Sequence, residues 1–462
     1  MSSSWDLIIV GSGPAGMGAA VEASRQGLKT LVLDRQTEPG GQIYRNVGSS
    51  PLTETLGKDY AAGLPLVKEF QASTARYEAD ANVWHVLPGQ VYYSRNGESS
   101  CARGRQILLT TGTMERPVPM PGWTLPGVMG AGAADVLLKS ASLMPEGPVV
   151  LCGNGPLIFQ AAAHLLHYKI PVAGVLLTGR PANMFRCLRH AAGAVARPLY
   201  FTHGIAMAAQ TFLRQKCHWG VRDISLAEDR NSGLMVSYVN LLGKRKTLEA
   251  SVVLLHEGVI SESRITRLAR LRHDWDSRQR YWHASADLWG RTSLPGIRIA
   301  GDVAKVLGAT AAQAQGRIAA LDICRELGRL SLAGRDSLSL GHRRRLARCR
   351  MLQPFLDEYF APDPGMLQPR DDALVCRCEE LTALNLKQHI LQGSYSPDGL
   401  KAQSRSGMGT CQGRMCGSSV IEMIAHAHGL PLEDLPLYTA QPPLFPLRLG
   451  ELADMGLPPD LL

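Results

Sequence analysis

Short apolar runs, each followed by glycines and then by an alanine-rich or amphipathic stretch, set the pattern of this chain. Residues 6–10 (DLIIV) are apolar without alternation, as a strand buried on both faces of a parallel sheet requires. Glycines at 11, 13 and 16 follow, then a helical stretch from about residue 15 to Gly27, a plausible left-handed cap, then a second strand at 29–33 ending in Asp34. The same order returns at 148–152 (PVVLC), with Gly153 and Gly155, a helix, and a strand at 172–177. Further buried strands are expected at 107–112, 251–258 and 296–301, with a helix opening in the small-residue run 308–316. Strand, glycine loop, helix, strand, occurring twice, predicts an α/β fold of two Rossmann-like units.

Toward the C-terminus the periodicity changes. A basic amphipathic helix is expected from Arg343 to about Tyr359, and prolines and glycines at 361–365 and 368–370 end it. Thr382 then caps a helix running to about Leu391. The expected division is a dinucleotide-binding domain (1–122), a second domain of nicotinamide type (123–250), a return that completes the first domain (251–335), a basic helical linker (336–375), a small helical cysteine domain (376–430) and a C-terminal tail (431–462).

Length and composition agree with this division. A chain of 462 residues suggests about three domains, and 45% hydrophobic with 19% charged residues is ordinary for an α/β protein. No apolar run is long enough for a spanning helix. The N-terminus lacks a basic leader, so a cytoplasmic location is expected. The net charge of +9 owes much to Arg343–Arg345, Arg348 and Arg350. No aromatic stacking platform accompanies these arginines, so nucleic acid is not an expected partner; a solvated helix face or a docking surface is.

The first glycine loop carries recognisable chemistry. Gly11 permits the tight turn, Gly13 lets the backbone approach a diphosphate, Gly16 allows helix to pack on strand, and Ser12, Pro14 and Ala15 complete the loop. Asp34 stands where a carboxylate can accept ribose hydroxyls, with Arg35 beside it. Gly41 and Gln42, Val83, Thr111 and Gly112, and the late Gly301 and Asp302 are the other candidate cofactor-binding residues. The second loop differs, because Ile158 replaces the third glycine and the strand at 172–177 ends in Thr178, Gly179 and Arg180 with no ribose carboxylate. Loss of its nucleotide is expected. His164 and His167 are read as ordinary helix-face residues, and His256 and Glu257 as a turn without an assigned role. The stretch 182–215 reads as amphipathic helices forming a contact surface.

Six of the ten cysteines (Cys101, Cys152, Cys187, Cys217, Cys324, Cys349) are scattered, as in a reducing compartment. The other four form C-x-C at Cys376 and Cys378, then C-x4-C at Cys411 and Cys416. Four thiolates from two pairs are the ligand set of an iron-sulfur cluster or of a closed zinc site, and free or disulfide-forming thiols are the bland alternative. Arg377, Arg405 and Arg414 lie close in sequence and are expected to offset the charge of a thiolate cluster.

With these residues the chain resembles the two-dinucleotide-binding-domain flavoproteins. The resemblance implies FAD, with Asp302 on its ribityl chain and the amides of residues 309–312 at the pyrimidine side of its ring; the strand ending in Thr111 and Gly112 would mark the crossing between domains. Neither a C-x2-C in the middle domain nor a C-x4-C after Gly41 is present, so dithiol reductase chemistry is not assigned. The cysteine segment resembles the bacterioferritin-associated ferredoxin family, which implies [2Fe-2S] on Cys376, Cys378, Cys411 and Cys416. That family closes with C-x2-C, and this chain departs from it with C-x4-C.

Over nearly its whole length, and most clearly in residues 117–129 and 407–416, the chain resembles the larger subunits of heteromeric flavin-dependent amine dehydrogenases: the A-type component of opine oxidase, the hydroxyproline dehydrogenase α subunit and the B-type component of hydrogen cyanide synthase. The resemblance implies substrate oxidation in a partner β subunit similar to D-amino-acid oxidase, a small third subunit in some complexes, and a quinone or cytochrome as acceptor. It also implies ATP as an alternative to FAD at the adenosine site, and FMN at a subunit interface. No catalytic acid or base is expected here. The rival reading is a stand-alone NAD(P)H-dependent flavin and iron-sulfur oxidoreductase; a third makes the cysteine segment a zinc-stabilised docking module.

Overall fold

The computed structural model describes residues 4–229 and 233–453; residues 1–3, 230–232 and 454–462, the last within the expected C-terminal tail, lie outside the described residues. In the first unit, parallel strands run in the order Arg76–Glu78, Thr30–Leu33, Trp5–Val10 and Glu98–Leu109. Ile297–Ile299 pairs in parallel with the far end of Glu98–Leu109. The near end of that long strand instead pairs antiparallel with Gln90–Arg95, which pairs with Asn82–Leu87. Leu7 and Ile9 face one core and Ile8 and Val10 the other, which is why residues 6–10 show no alternation.

Two helices, Pro14–Arg25 and Ala309–Glu326, pack closely through small residues. A Cβ added at Gly316 would fall 1.9 Å from the Ala15 carbonyl oxygen, so only glycine admits this approach. The contact joins residues near both ends of the first unit, and it brings the N-termini of both helices to one cleft.

The second unit has a parallel sheet in the order Cys217–Trp219, Val172–Leu177, Val149–Asn154, Val252–Glu257, Val128–Gly130, with an antiparallel sheet of Arg222–Asp229, Gly233–Val239 and Arg245–Ala250. Val252–Glu257 pairs with Val149–Asn154, so it belongs to this unit and not to the completion of the first. The chain crosses back one step later, where Val259–Ser261 pairs antiparallel with Thr113–Glu115.

The basic helix begins earlier than its arginines suggest, spanning Leu332–Tyr359 with Ser331 Oγ accepting from Gly334 N at 3.0 Å. Arg335 anchors its first turns by donating to buried Asp322 at 2.8 Å. Leu346, Cys349 and Leu352 face inward, whereas Arg344, Arg345, Arg348 and Arg350 are exposed, so the basic stripe is a solvated outer face. The cysteine domain packs Ala383–Leu391, Pro397–Ser404 and Gly417–His428 around one core. Thr382 forms a capping box with Asn385, as its position suggests. Residues 431–445 are not a free tail: Leu435 and Tyr438 are buried in that core, and Leu444 is buried against the first unit.

Candidate functional site

The strand ends and both helix N-termini of the first unit open on a cavity of about 360 Å³. Gly11, Gly13, Pro14, Asp34, Arg35, Gly41, Gln42, Val83, Thr111, Gly112 and Asp302 line it, together with Ala309 and Ala312. Ser12, Ala15, Gly16 and Gly301 lie behind this lining and shape it. Ser12 Oγ donates to Asp34 Oδ2 at 2.7 Å, and Gln36 N donates to Oδ1 at 2.8 Å, so the carboxylate is fixed at the strand end. A Cβ at Gly16 would fall 1.9 Å from Gly11 O, and one at Gly301 would fall 2.8 Å from the Ala15 methyl.

A dinucleotide fits this cleft. Gly13 and Gly41 face each other as bare backbone, since a Cβ on Gly41 would lie 2.9 Å from Gly13 Cα. Amides of Gly11 to Gly13 and the N-terminus of Pro14–Arg25 suit a diphosphate, and Asp34 suits the adenosine ribose. At the other end Asp302 Oδ1 accepts from Leu307 N at 2.9 Å and Gly308 N at 3.2 Å, and burial pushes its carboxyl up to about 6.

Arg45, Glu262, Arg264, Leu444 and Phe445 are among the lining residues that carry no signal in the local sequence pattern, and Arg414, read from the sequence as a neighbour of the cysteines, joins them. Glu262 is their hub. Arg264 Nε donates to it at 2.9 Å and Arg414 Nε at 2.8 Å, while its own amide donates to Gly112 O at 3.0 Å. Burial works against ionisation of Glu262, but Arg264 and then Arg414 outweigh it and hold the carboxyl down at about 2. The guanidiniums of Arg35 and Arg264 sit over the Phe445 ring at 5.8 and 5.1 Å. Arg414 lies between Cys411 and Cys416, so the cysteine loop itself forms part of the cleft wall.

The four cysteines meet as two pairs. The thiol of Cys416 hydrogen-bonds Cys376, and Cys411 hydrogen-bonds Cys378. Among the described residues, no three His, Cys, Asp or Glu side chains gather as ligands about a single ion. The Cys416 contact, opposed by burial and aided by the amides of Gly407, Glu379 and Cys378, lowers the Cys376 thiol to about 6. Cys376 and Cys416 are buried, Cys411 is half-buried and Cys378 is exposed, so the site has one outward edge. Four thiols in two adjoining pairs match in number the thiolates that an iron-sulfur cluster or a closed zinc site takes. The three nearby arginines do not act as expected. Arg405 pairs with Glu379 at 3.0 Å, Arg414 with Glu262, and Arg377 stacks on Trp123 at 5.6 Å. Backbone amides take their place around the sulfurs.

Residues 5–316 match the pyridine nucleotide-disulphide oxidoreductase family. The chain belongs to that family. It is 38% identical to the A-type component of opine oxidase from Agrobacterium tumefaciens, covering 98% of this chain and 92% of that one. It is 29% identical to hydrogen cyanide synthase subunit HcnB of Pseudomonas protegens, covering 94% and 97%. Among solved structures, L-proline dehydrogenase from P. horikoshii superposes with a TM-score of 0.72 at 16% identity, over 98% of this chain and 80% of that chain, a likeness of fold.

In the second unit the glycine loop and the strand ends beside it are engaged by the protein's own side chains and linker. The His256 ring lies over the second glycine of the loop, so near that a Cβ on Gly155 would fall 2.7 Å from Nε2. Its Nδ1 lies 2.7 Å from Glu115 Oε1, and Glu115 also accepts from Gly132 N at 3.1 Å. Ile158 is fully buried in the helix packing. At the strand ends, Asn154 Nδ2 and Asn183 Nδ2 both donate to Ala361 O at 3.1 Å, and Arg180 pairs with Asp363 at 2.6 Å. Arg180, about half exposed, thus ties the second unit to the chain's own linker. Glu257 points away from His256, accepts from Thr178 Oγ1 at 2.6 Å, and is pushed up to about 7 by burial. The two do not form an acid-base pair. His164 lies 3.7 Å from Asp135, with no further ligand beside it among the described residues.

Proposed function

We propose that this chain is the electron-transfer subunit of a heteromeric flavin-dependent dehydrogenase that oxidises the C–N bond of an amino or imino acid of opine, hydroxyproline or glycine type. The observation that carries the reading is the junction of two sites: the loop holding Cys411 and Cys416 sends Arg414 to Glu262 in the wall of the dinucleotide cleft. A soluble redox relay needs its two carriers close together, and here one loop belongs to both sites. The relatives named as subunits of an oxidase and a synthase support a partner chain in which the substrate is oxidised.

FAD would be held by Asp34 at its ribose, by the Gly11 to Gly13 amides at its diphosphate and by Asp302 at its ribityl chain, with ATP the alternative occupant of the adenosine end. Cys376, Cys378, Cys411 and Cys416 would hold [2Fe-2S]. When bound, a flavin supplies two-electron chemistry that can be divided into single electrons, and the cluster supplies one-electron chemistry. The protein's own residues fix these groups. Glu262 partly offsets the charge of Arg264 and Arg414 between the two sites, and the amides of Gly407, Glu379 and Cys378 offer hydrogen bonds to sulfur. The exposed edge at Cys378 is the side open to an acceptor such as a quinone or cytochrome. No helix among the described residues is long and apolar enough to cross a membrane, so contact with a membrane acceptor would be peripheral.

The plugged second unit weighs against a stand-alone NAD(P)H oxidoreductase. Co-purification from the native host, with iron and acid-labile sulfide assayed, every nucleotide identified by mass, and the reduced protein examined by electron paramagnetic resonance, tests the reading. A rhombic signal from reduced iron, a flavin-bearing partner and amine-dependent reduction are expected. A monomer that binds zinc, or one reduced by NADPH alone, would overturn it.

A further inference from the structure

We infer that Tyr438 is a positioning residue of the cysteine site, whose phenolic hydroxyl donates a hydrogen bond to Cys416 Sγ and raises the reduction potential of the cluster held there. The inference rests on the [2Fe-2S] reading and extends it to a residue outside the cysteine motif.

Tyr438 comes from the segment after the cysteine domain's last long helix, yet it is only 1% exposed. Two glycines of the cysteine loop make its seat. A Cβ on Gly407 would lie 2.9 Å from the ring and one on Gly413 would lie 2.4 Å from it, so both positions must stay bare for the ring to reach the sulfurs. Both glycines also have positive φ, +82° and +75°, which bends the loop around the ring. The Tyr438 carbonyl accepts from Arg267, fixing the backbone behind the side chain.

The hydroxyl therefore has little freedom. Ser406 Oγ lies 2.9 Å from it on one side, and Cys416 Sγ lies within hydrogen-bonding reach on the other. A phenol has one proton to give. Ser406 Oγ accepts from Ser404 Oγ at 3.0 Å, which leaves its own proton for the phenolic oxygen, and in that arrangement the Tyr438 proton is directed at sulfur. Cys416 is fully buried, so this contact acts where the dielectric is low and water does not compete. A donor to a ligand sulfur stabilises the reduced cluster more than the oxidised one, because the reduced cluster carries one more negative charge. Loss of the donor should lower the potential.

Tyr438→Phe in the full-length protein, purified with its metal, removes the hydroxyl and keeps the ring between the glycines. The measurement is iron and sulfide content followed by a redox titration monitored by electron paramagnetic resonance. The expected result is unchanged iron with reduction made roughly tenfold less favourable, a fall of about 59 mV for a one-electron couple. Ser406→Ala keeps the tyrosine but removes the bond that polarises it, and should shift the potential the same way by a smaller amount. If Tyr438→Phe loses the cluster, the Ser406→Ala shift decides. A full cluster with an unchanged potential in both variants would overturn the role of Tyr438 and leave the cluster reading intact. Wild-type protein without iron would overturn the cluster reading and this inference with it.

Discussion

Replacing Glu262 by glutamine removes one charge and almost no volume at the junction between the cysteine loop and the dinucleotide cleft. The carboxyl is held at about 2, against 4.5 for a free glutamate. At about 1.4 kcal/mol for each pH unit of that difference, its charged form contributes roughly 3 kcal/mol. Arg414 is 34% exposed, so solvent screening trims the contribution to about 2 kcal/mol. A group whose folded pKa is depressed gives its full contribution above the unfolded pKa and loses it as pH falls toward the folded one. Wild type should therefore lose this stabilisation between about pH 4.5 and 2, and Glu262→Gln should lack it throughout. The assay is hydrogen exchange by mass spectrometry over residues 407–417, since unfolding of a multidomain chain is not two-state. At pH 7, protection in that loop should fall about thirtyfold, the factor equivalent to 2 kcal/mol. Arg414→Met should reproduce part of the loss, and the double variant should be little worse than Glu262→Gln alone, as for groups acting as one unit. Unchanged protection in Glu262→Gln at pH 7 would refute the coupling of loop and cleft.

Three other outcomes follow from the geometry. Gly41→Ala places a Cβ 2.9 Å from Gly13 Cα at φ +64°, so nucleotide retained through purification should fall at least tenfold; stoichiometric nucleotide in the variant would mean the diphosphate runs elsewhere. Glu257 is raised to about 7, so its ionisation opposes folding as pH rises from about 4.5 through 7, and Glu257→Gln should gain on wild type over that range by up to about 3 kcal/mol. A hydrogen-exchange difference over residues 252–257 that stays flat between pH 5 and 8.5 would exclude a buried titrating carboxyl there. Calorimetry with NADH and NADPH should show no binding to wild type or to Asp363→Ala, because freeing the linker leaves His256 over Gly155; micromolar binding to wild type would contradict the plugged second unit.

What could be read from the chain was local in sequence. Gly11, Gly13, Gly16 and Asp34 act through the turn and the strand end beside them, so spacing alone placed them on one cleft. Thr382 announced its helix in the same way. Glu262 and Arg414 are 152 positions apart and meet only because the chain leaves the first unit and returns, a pairing that no local pattern encodes. Phe445 and Tyr438 lie among prolines, and composition there reads as a tail although the side chains are buried or line the cleft. The strand at 252–257 was legible as a strand, but its membership of the second sheet depends on pairing with Val149–Asn154. The basic helix starts earlier than its arginines suggest, because its start is set by Ser331 and by the buried tie from Arg335 to Asp322.

The plug in the second unit shows the same logic from the other side. Ile158 signalled a damaged loop, but the damage is done by residues distant from it. His256 occupies the space above Gly155, and the carbonyl of Ala361 takes the hydrogen bonds of Asn154 and Asn183. A nucleotide would have to displace a buried imidazole and two amide contacts at once. These contacts also fix the linker that leads from the long basic helix to the cysteine domain. The glycine loop of the second unit thus holds the linker in place, and Glu262 ties the cysteine loop to the first unit.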